Sequence, residues 1–325
     1  MKHRILLILL SLSVLLSGCA DAGTSGRGEE RGENLRIVAT TYPVYLFTCA
    51  VTDGVEGVTV ERLNTGEASC LHDYTLSVSD MKLLARADVV AMNGVGLEEF
   101  MEDALATSDA AVIDCSVGVE LLENLKHDHE EGAEGEEGHD HGHFDPHIWM
   151  DPDNALVMVG NLASGLSRID PDHGVGYLKN QLNATALIEA WGETARDILA
   201  ELQAYRPEVE IAGLITFHDG FQYFAHAYDL PLLESIEEEA GSEASAHEIV
   251  EITELVQEKH IPVIFTEVNG SDATAKAISR ETGCEVAQLS MCMDGPDGAL
   301  SHYFDALMDN MIAIVNGFAG EEVVR

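Results

Sequence analysis

Short runs of β-branched and aliphatic residues recur along this chain, each followed by a stretch where apolar residues return every three or four positions. That alternation predicts βα units and parallel sheets. Strands are predicted at 35–40, 58–63, 88–92 and 111–114, then at 210–217, 230–236, 262–267 and 285–290. Between the two sets lie an acidic, histidine-rich loop at about 126–145, a helix at about 154–169 and a long helical pattern at about 172–204. Pro43, Ser79 and Ser271 sit where helices should start, and Gly283 where one should stop.

Four strands, a long helix and four strands predict an α/β fold of two lobes, each with a roughly four-stranded parallel sheet. Residues 35–171 would form the first lobe, 172–205 the bridging helix and 206–325 the second lobe. A cleft between the lobes follows, and ligands of such sheets bind beyond the carboxyl ends of the strands. Three histidines lie in loops of that kind: His72 in GEASCLHDY, His147 in FDPHIWMDP and His218 in TFHDG.

Charge narrows the function. With 17 Lys+Arg against 58 Asp+Glu, the formal net charge is -41, which excludes nucleic acid as a partner. At 46% hydrophobic and 23% charged residues the body is ordinary globular sequence. Residues 2–4 are Lys-His-Arg and residues 5–16 almost wholly apolar, the layout of a secretory signal and too short to span a bilayer. The run ends in Leu-Ser-Gly-Cys, which resembles the lipobox of bacterial lipoproteins and implies removal of residues 1–18 with lipid carried on Cys19. Residues 19–34 then form a flexible Gly-rich stalk, tethering the protein outside the cytoplasm on the bacterial cell membrane. Five cysteines remain, an odd number, and no C-x-x-C pair occurs.

Three neutral imidazoles on one cleft suit zinc, whereas manganese sites lean on oxygen donors. The sequence resembles the substrate-binding proteins of zinc and manganese ABC importers, the cluster A-I or ZnuA/TroA-like family. The stretches that carry the resemblance are IVATTYPVY, LHDYTLSVSDMKLLARADVVAMNGVGLE, DPHIWMDPDNA, FHDGFQYFAHAYDL, SEASAHEI and VIFTEVNGS, spread over nearly the whole mature chain. The resemblance implies two lobes bridged by one long helix, with metal held between them by His72, His147 and His218. It also implies an ABC permease and its ATPase as partners, and His218 at the third position favours zinc over manganese.

Where many relatives carry an aspartate after the last strand, this chain reads QLSMCMDGPDG, with Ser290 near the expected position. The fourth ligand stays open among Asp294, a water molecule and Glu67. The same departure brings Cys292 towards Cys70, and a disulfide between them is a hypothesis that would pin the lobes beside the metal. The acidic loop carries His127, His129, His139, His141 and His143, a composition suited to collecting zinc weakly. Asp145 and Asp219 are expected to orient imidazoles through the other ring nitrogen. Glu267 reads equally as a structural or a cleft carboxylate, and His226, His247 and His260 as surface residues.

The resulting expectation is a monomeric lipoprotein that captures Zn(II) and passes it to an importer. The alternatives are a manganese-binding or adhesion-type protein of the same fold and a zinc hydrolase. The hydrolase lacks H-E-x-x-H or another local base motif.

Overall fold

The structure, a computed structural model, describes residues 34–63, 74–124, 143–236, 245–268 and 270–324. Two four-stranded sheets, parallel throughout, form its frame. The first contains β1 (Leu35–Ala39), β2 (Val58–Arg62), β3 (Val89–Met92) and β4 (Ala111–Asp114) in the order β2-β1-β3-β4. The second contains β5 (Leu214–Thr216), β6 (Leu232–Ser235), β7 (Val263–Glu267) and β8 (Glu285–Leu289) in the order β6-β5-β7-β8. Strand by strand, the second order repeats the first. Each sheet therefore reverses direction at one place, between β1 and β3 and between β5 and β7, where such sheets open a crevice at their carboxyl ends.

All eight predicted strands form, each within a short segment rich in β-branched or aliphatic residues. Helix starts are set by caps that the sequence marks less plainly. Thr41 caps α1 (Tyr42–Thr52), with Pro43 in the first turn. Helix α2 (Val78–Leu84) starts at Ser77, not Ser79, because Ser77 and Asp80 close a reciprocal capping box. Two short helices follow, a 3-10 turn at Glu99–Met101 and α3 (Glu102–Ala106).

Helix α4 (Pro152–Ile169) packs on the first sheet so closely that a side chain at Gly165 would strike Ile113. Helix α5 (Gly174–Tyr205) has 32 residues and is about 48 Å long at 1.5 Å per residue. It reaches both lobes. Asn180 donates to the carbonyls of Val51 and Asp53 at the end of α1, and Trp191 stacks on Phe304 of α9 (Ser301–Ala319) at 5.2 Å. Helices α6 (Gln222–Ala227), α7 (Ala246–Lys259) and α8 (Ala273–Thr282) complete the second lobe. Gly283 ends α8 in a left-handed conformation, as its sequence position predicts.

The signal segment, Cys19 and the stalk up to residue 33 lie outside the described residues, as do Glu67, Cys70, His72, His127, His129, His139 and His141. Among the described residues, no helix is long and apolar enough to cross a membrane.

Candidate metal centre

His218 lies just past β5. The amide of Phe217 donates to the Phe265 carbonyl, extending the pairing with β7 by one step, and the Thr216 hydroxyl donates to the His218 carbonyl at 3.0 Å. Those bonds deliver the imidazole to the carboxyl edge of the second sheet, where it is 1% exposed.

His147 arrives from the first lobe, immediately before the 3-10 turn Ile148–Met150. The Asp145 carboxylate accepts both its backbone N–H and its ring Nδ1, each at 2.8 Å. A carboxylate acceptor fixes the proton on Nδ1, which leaves the Nε2 lone pair for a cation. The two imidazole rings lie 5.4 Å apart at 88°. Trp149 and Tyr303 bind the lobes together below them, through Trp149 Nε1 to the Met291 carbonyl (2.8 Å) and the Tyr303 hydroxyl to the Trp149 carbonyl (2.7 Å).

Gly220 keeps the space beside the rings open. A Cβ there would stand 2.1 Å from Met291 Sδ, 3.0 Å from His218 Cδ2 and 3.2 Å from His147 Cδ2.

Electrostatics at the site favour positive charge. Burial alone would lower the His147 pKa, but the charge and hydrogen bond of Asp145, with the charges of Asp219 and Glu267, outweigh it and raise the value. Glu267 is the last residue of β7, beside β5, and burial pushes its pKa up to about 7 against a smaller opposing effect of His147. Its Oε2 lies 3.9 Å from His218 Nδ1 and is buried with no hydrogen-bond partner among the described residues.

The first lobe also buries a carboxyl group, Glu98 in the turn after β3, which sequence reasoning missed. Its Oε1 accepts from the Thr40 hydroxyl (2.7 Å) and the Asn93 amide (2.6 Å), and its Oε2 from the Gly94 amide (3.0 Å). Asn93 in turn donates its side-chain amide to the Pro146 carbonyl at 2.9 Å, one residue before His147. The signal available was the NGVGLE stretch after β3, which marks a turn but does not reveal which strand end it grips.

In the departing loop Ser290 and Asp294 both have partners within the chain, and Asp294 pairs with the first lobe. Its Oδ1 accepts from Arg62 at 2.7 Å, and its side chain is 53% exposed. Ser290 is occupied by Asn310 on both its N–H and carbonyl. Cys292 is a free, buried thiol in a left-handed turn, 3.9 Å from the His302 carbonyl. Cys70, the other half of the hypothesised bridge, lies outside the described residues.

Of the loop histidines, His143 is described: its Nε2 is 3.5 Å from Glu123 in a short antiparallel pairing of Glu123 with Phe144. His226, His247 and His260 are exposed. Among the described residues no group of three or more His, Cys, Asp or Glu side chains is arranged to hold a metal. The two buried imidazoles are the described members of the expected donor set, and the third, His72, lies outside the described residues.

The family model "Zinc-uptake complex component A periplasmic" matches residues 37–317. The chain is 26% identical to the zinc-binding protein AdcA of Streptococcus pyogenes serotype M1, over 100% of this chain and 64% of that one, so it spans about two thirds of that relative's length. It is 25% identical to the high-affinity zinc uptake system protein ZnuA of Bacillus subtilis, over 95% of each. Among solved structures, a crystal structure of ZnuA superposes with a TM-score of 0.72 at 25% identity, covering 87% of this chain and 98% of that one. With two matching lobes, imidazoles facing each other across them and a family match over most of its length, the chain belongs to the ZnuA family.

Proposed function

We propose that this protein captures Zn(II) in the cleft between its lobes, outside the cytoplasm, and delivers it to an ABC permease driven by its ATPase. Nothing is chemically transformed. The observation that carries the reading is the pair of buried imidazoles 5.4 Å apart, His147 before the 3-10 turn Ile148–Met150 and His218 just past β5, with the Nε2 of His147 left available by Asp145. Nitrogen donors of this kind suit zinc better than manganese. His72 is the third ligand of this reading, and Cys19 the lipid attachment that keeps the protein at the membrane. The histidines of the acidic loop, His127 to His143, collect zinc weakly around the cleft.

Calorimetric titration of the mature protein with Zn(II) and Mn(II) tests this, repeated on a variant with His72, His147 and His218 all changed to alanine. One tight zinc site should be present in the native protein and absent from the variant, with weak loop binding surviving. A tight site that persists in the variant overturns the assignment.

A further inference from the structure

We propose that Glu267 is the positioning carboxylate of His218: when the cleft holds zinc, Oε2 accepts the Nδ1 proton of His218 and aims Nε2 at the metal. The inference rests on the reading of His218 as a ligand. It goes beyond that reading by giving a role to a residue for which the sequence left two readings open.

Three observations carry it. First, Glu267 closes β7 at the point where the second sheet reverses direction, beside the strand that delivers His218. Its backbone is fixed on both sides, since Val268 donates to the Leu289 carbonyl and Gly270 to the Glu267 carbonyl. Second, Oε2 is buried without a hydrogen-bond partner among the described residues. A carboxylate oxygen taken from water without a replacement bond is costly, and such an atom persists where a ligand-bound state supplies its partner. Third, it faces the Nδ1 side of His218, at 3.9 Å. His147 shows the finished form of the same arrangement, with Asp145 on Nδ1 at 2.8 Å.

Direct ligation is the competing role. It is disfavoured because His147, His218 and Glu267 do not converge as three donors, no such cluster existing among the described residues. A carboxylate behind the ring acts differently. Coordination of Nε2 withdraws electron density and strengthens Nδ1–H as a donor, so the 3.9 Å separation would shorten to about 2.8 Å on capture. The half-site of the first lobe would then be preformed, and that of the second completed by the metal.

The test uses the mature protein and its Glu267→Gln, Glu267→Ala and His218→Ala variants. Zinc affinity is read by competition with a chelating dye, and the His218 ring by long-range proton–nitrogen NMR of the zinc-bound state. Glu267→Ala should weaken zinc binding about 10- to 100-fold. Glu267→Gln, which keeps an oxygen acceptor and the side-chain shape, should weaken it less. The native zinc form should show a slowly exchanging Nδ1 proton on His218 that Glu267→Ala loses. Cobalt(II) in place of zinc reports coordination number through its visible spectrum, which should be the same in native protein and Glu267→Gln.

Unchanged affinity in both Glu267 variants, with the Nδ1 proton retained, overturns the proposal while leaving the metal centre intact. A cobalt spectrum that loses a ligand in Glu267→Gln overturns it in favour of direct coordination. Tight zinc binding that survives His218→Ala overturns the metal-centre reading and this proposal with it. Glu267→Gln keeps the measurement available if the alanine variant does not fold.

Discussion

Each lobe buries one glutamate near its sheet: Glu267 ends β7 in the second, and Glu98 folds back from the turn after β3 in the first, onto the residues that follow β1 and β3. Burial pushes both carboxyl groups up to about 7. What separates them is their partners: Glu98 receives three hydrogen bonds from two strand ends, whereas Glu267 Oε2 receives none among the described residues. A raised pKa therefore says only that a carboxyl is buried. The donors around it say whether it holds the fold or waits for a ligand.

The largest effect that this comparison predicts is on Glu98. Glu98→Ala removes the acceptor of the Asn93 and Gly94 amide N–H groups, at roughly 1–3 kcal/mol for each buried donor left unmade, so about 2 kcal/mol or more should be lost near pH 6. Denaturant unfolding of the zinc-free protein reads this directly. Glu267→Gln strands no donor and should change zinc-free stability by less than about 1 kcal/mol while weakening zinc binding. Equal stability losses in the two variants would break the contrast.

Next comes pH. A carboxyl whose folded pKa of about 7 exceeds its ordinary 4.5 stays protonated in the folded state while the unfolded chain ionises. Its contribution is complete below about pH 4.5 and is lost as pH rises through 7, by at most about 3 kcal/mol for Glu98. Glu267 and His147, both raised, act with the same sign. The zinc-free protein should thus melt lower at pH 8 than at pH 5.5, and Glu98→Gln should flatten that slope. Zinc binding runs the other way, because the imidazoles must shed protons before they coordinate. Thermal melts across this range, with and without zinc, should show the two trends crossing.

The contrast between the glutamates also shows what the sequence could and could not reveal. The eight strands were legible because each is a short segment rich in β-branched or aliphatic residues, and the loops that carry His147 and His218 because they lie between recognisable elements. Glu98 was not legible. Its partner Thr40 lies 58 positions away, and only the pairing of β1 with β3 brings them together. The contact that Asp294 makes was hidden for the same reason, since Arg62 is 232 positions earlier and nothing local announces it. Local patterns specify elements, while side-chain partners depend on which strand ends become neighbours.

Gly220 offers a steric way to sharpen the picture at the cleft itself. Its backbone needs no glycine conformation, so Gly220→Ala acts through the added methyl alone, which would press on Met291 and on both imidazoles. Overpacking of this kind costs about 1–3 kcal/mol. Here the strain should appear mainly as weaker zinc binding, because the rings have to keep their relative placement to share a metal. Competition titration at neutral pH checks it, and an unchanged affinity would place the metal away from the gap between the two rings.

The smallest predicted effect concerns the residue that the sequence offered as a fourth ligand. Burial would raise the Asp294 carboxyl, but the hydrogen bond from Arg62, one from the Gly295 backbone and the Arg62 charge together outweigh it and hold the pKa below the usual carboxylate range. The pair is substantially exposed, at 53% for Asp294 and 29% for Arg62, so solvent screens it and its loss should cost no more than about 1 kcal/mol. Arg62 would still lie over the Tyr42 ring at 4.6 Å and donate to the Gly295 carbonyl, so the loop keeps most of its attachment to the first lobe. Asp294→Ala should accordingly leave zinc affinity within about twofold, well short of the 10- to 100-fold loss expected even for a carboxylate that supports a ligand. A tenfold or greater fall would mean that Asp294 leaves Arg62 for the metal on capture, and the carboxylate that completes the second half-site would then be Asp294 rather than Glu267.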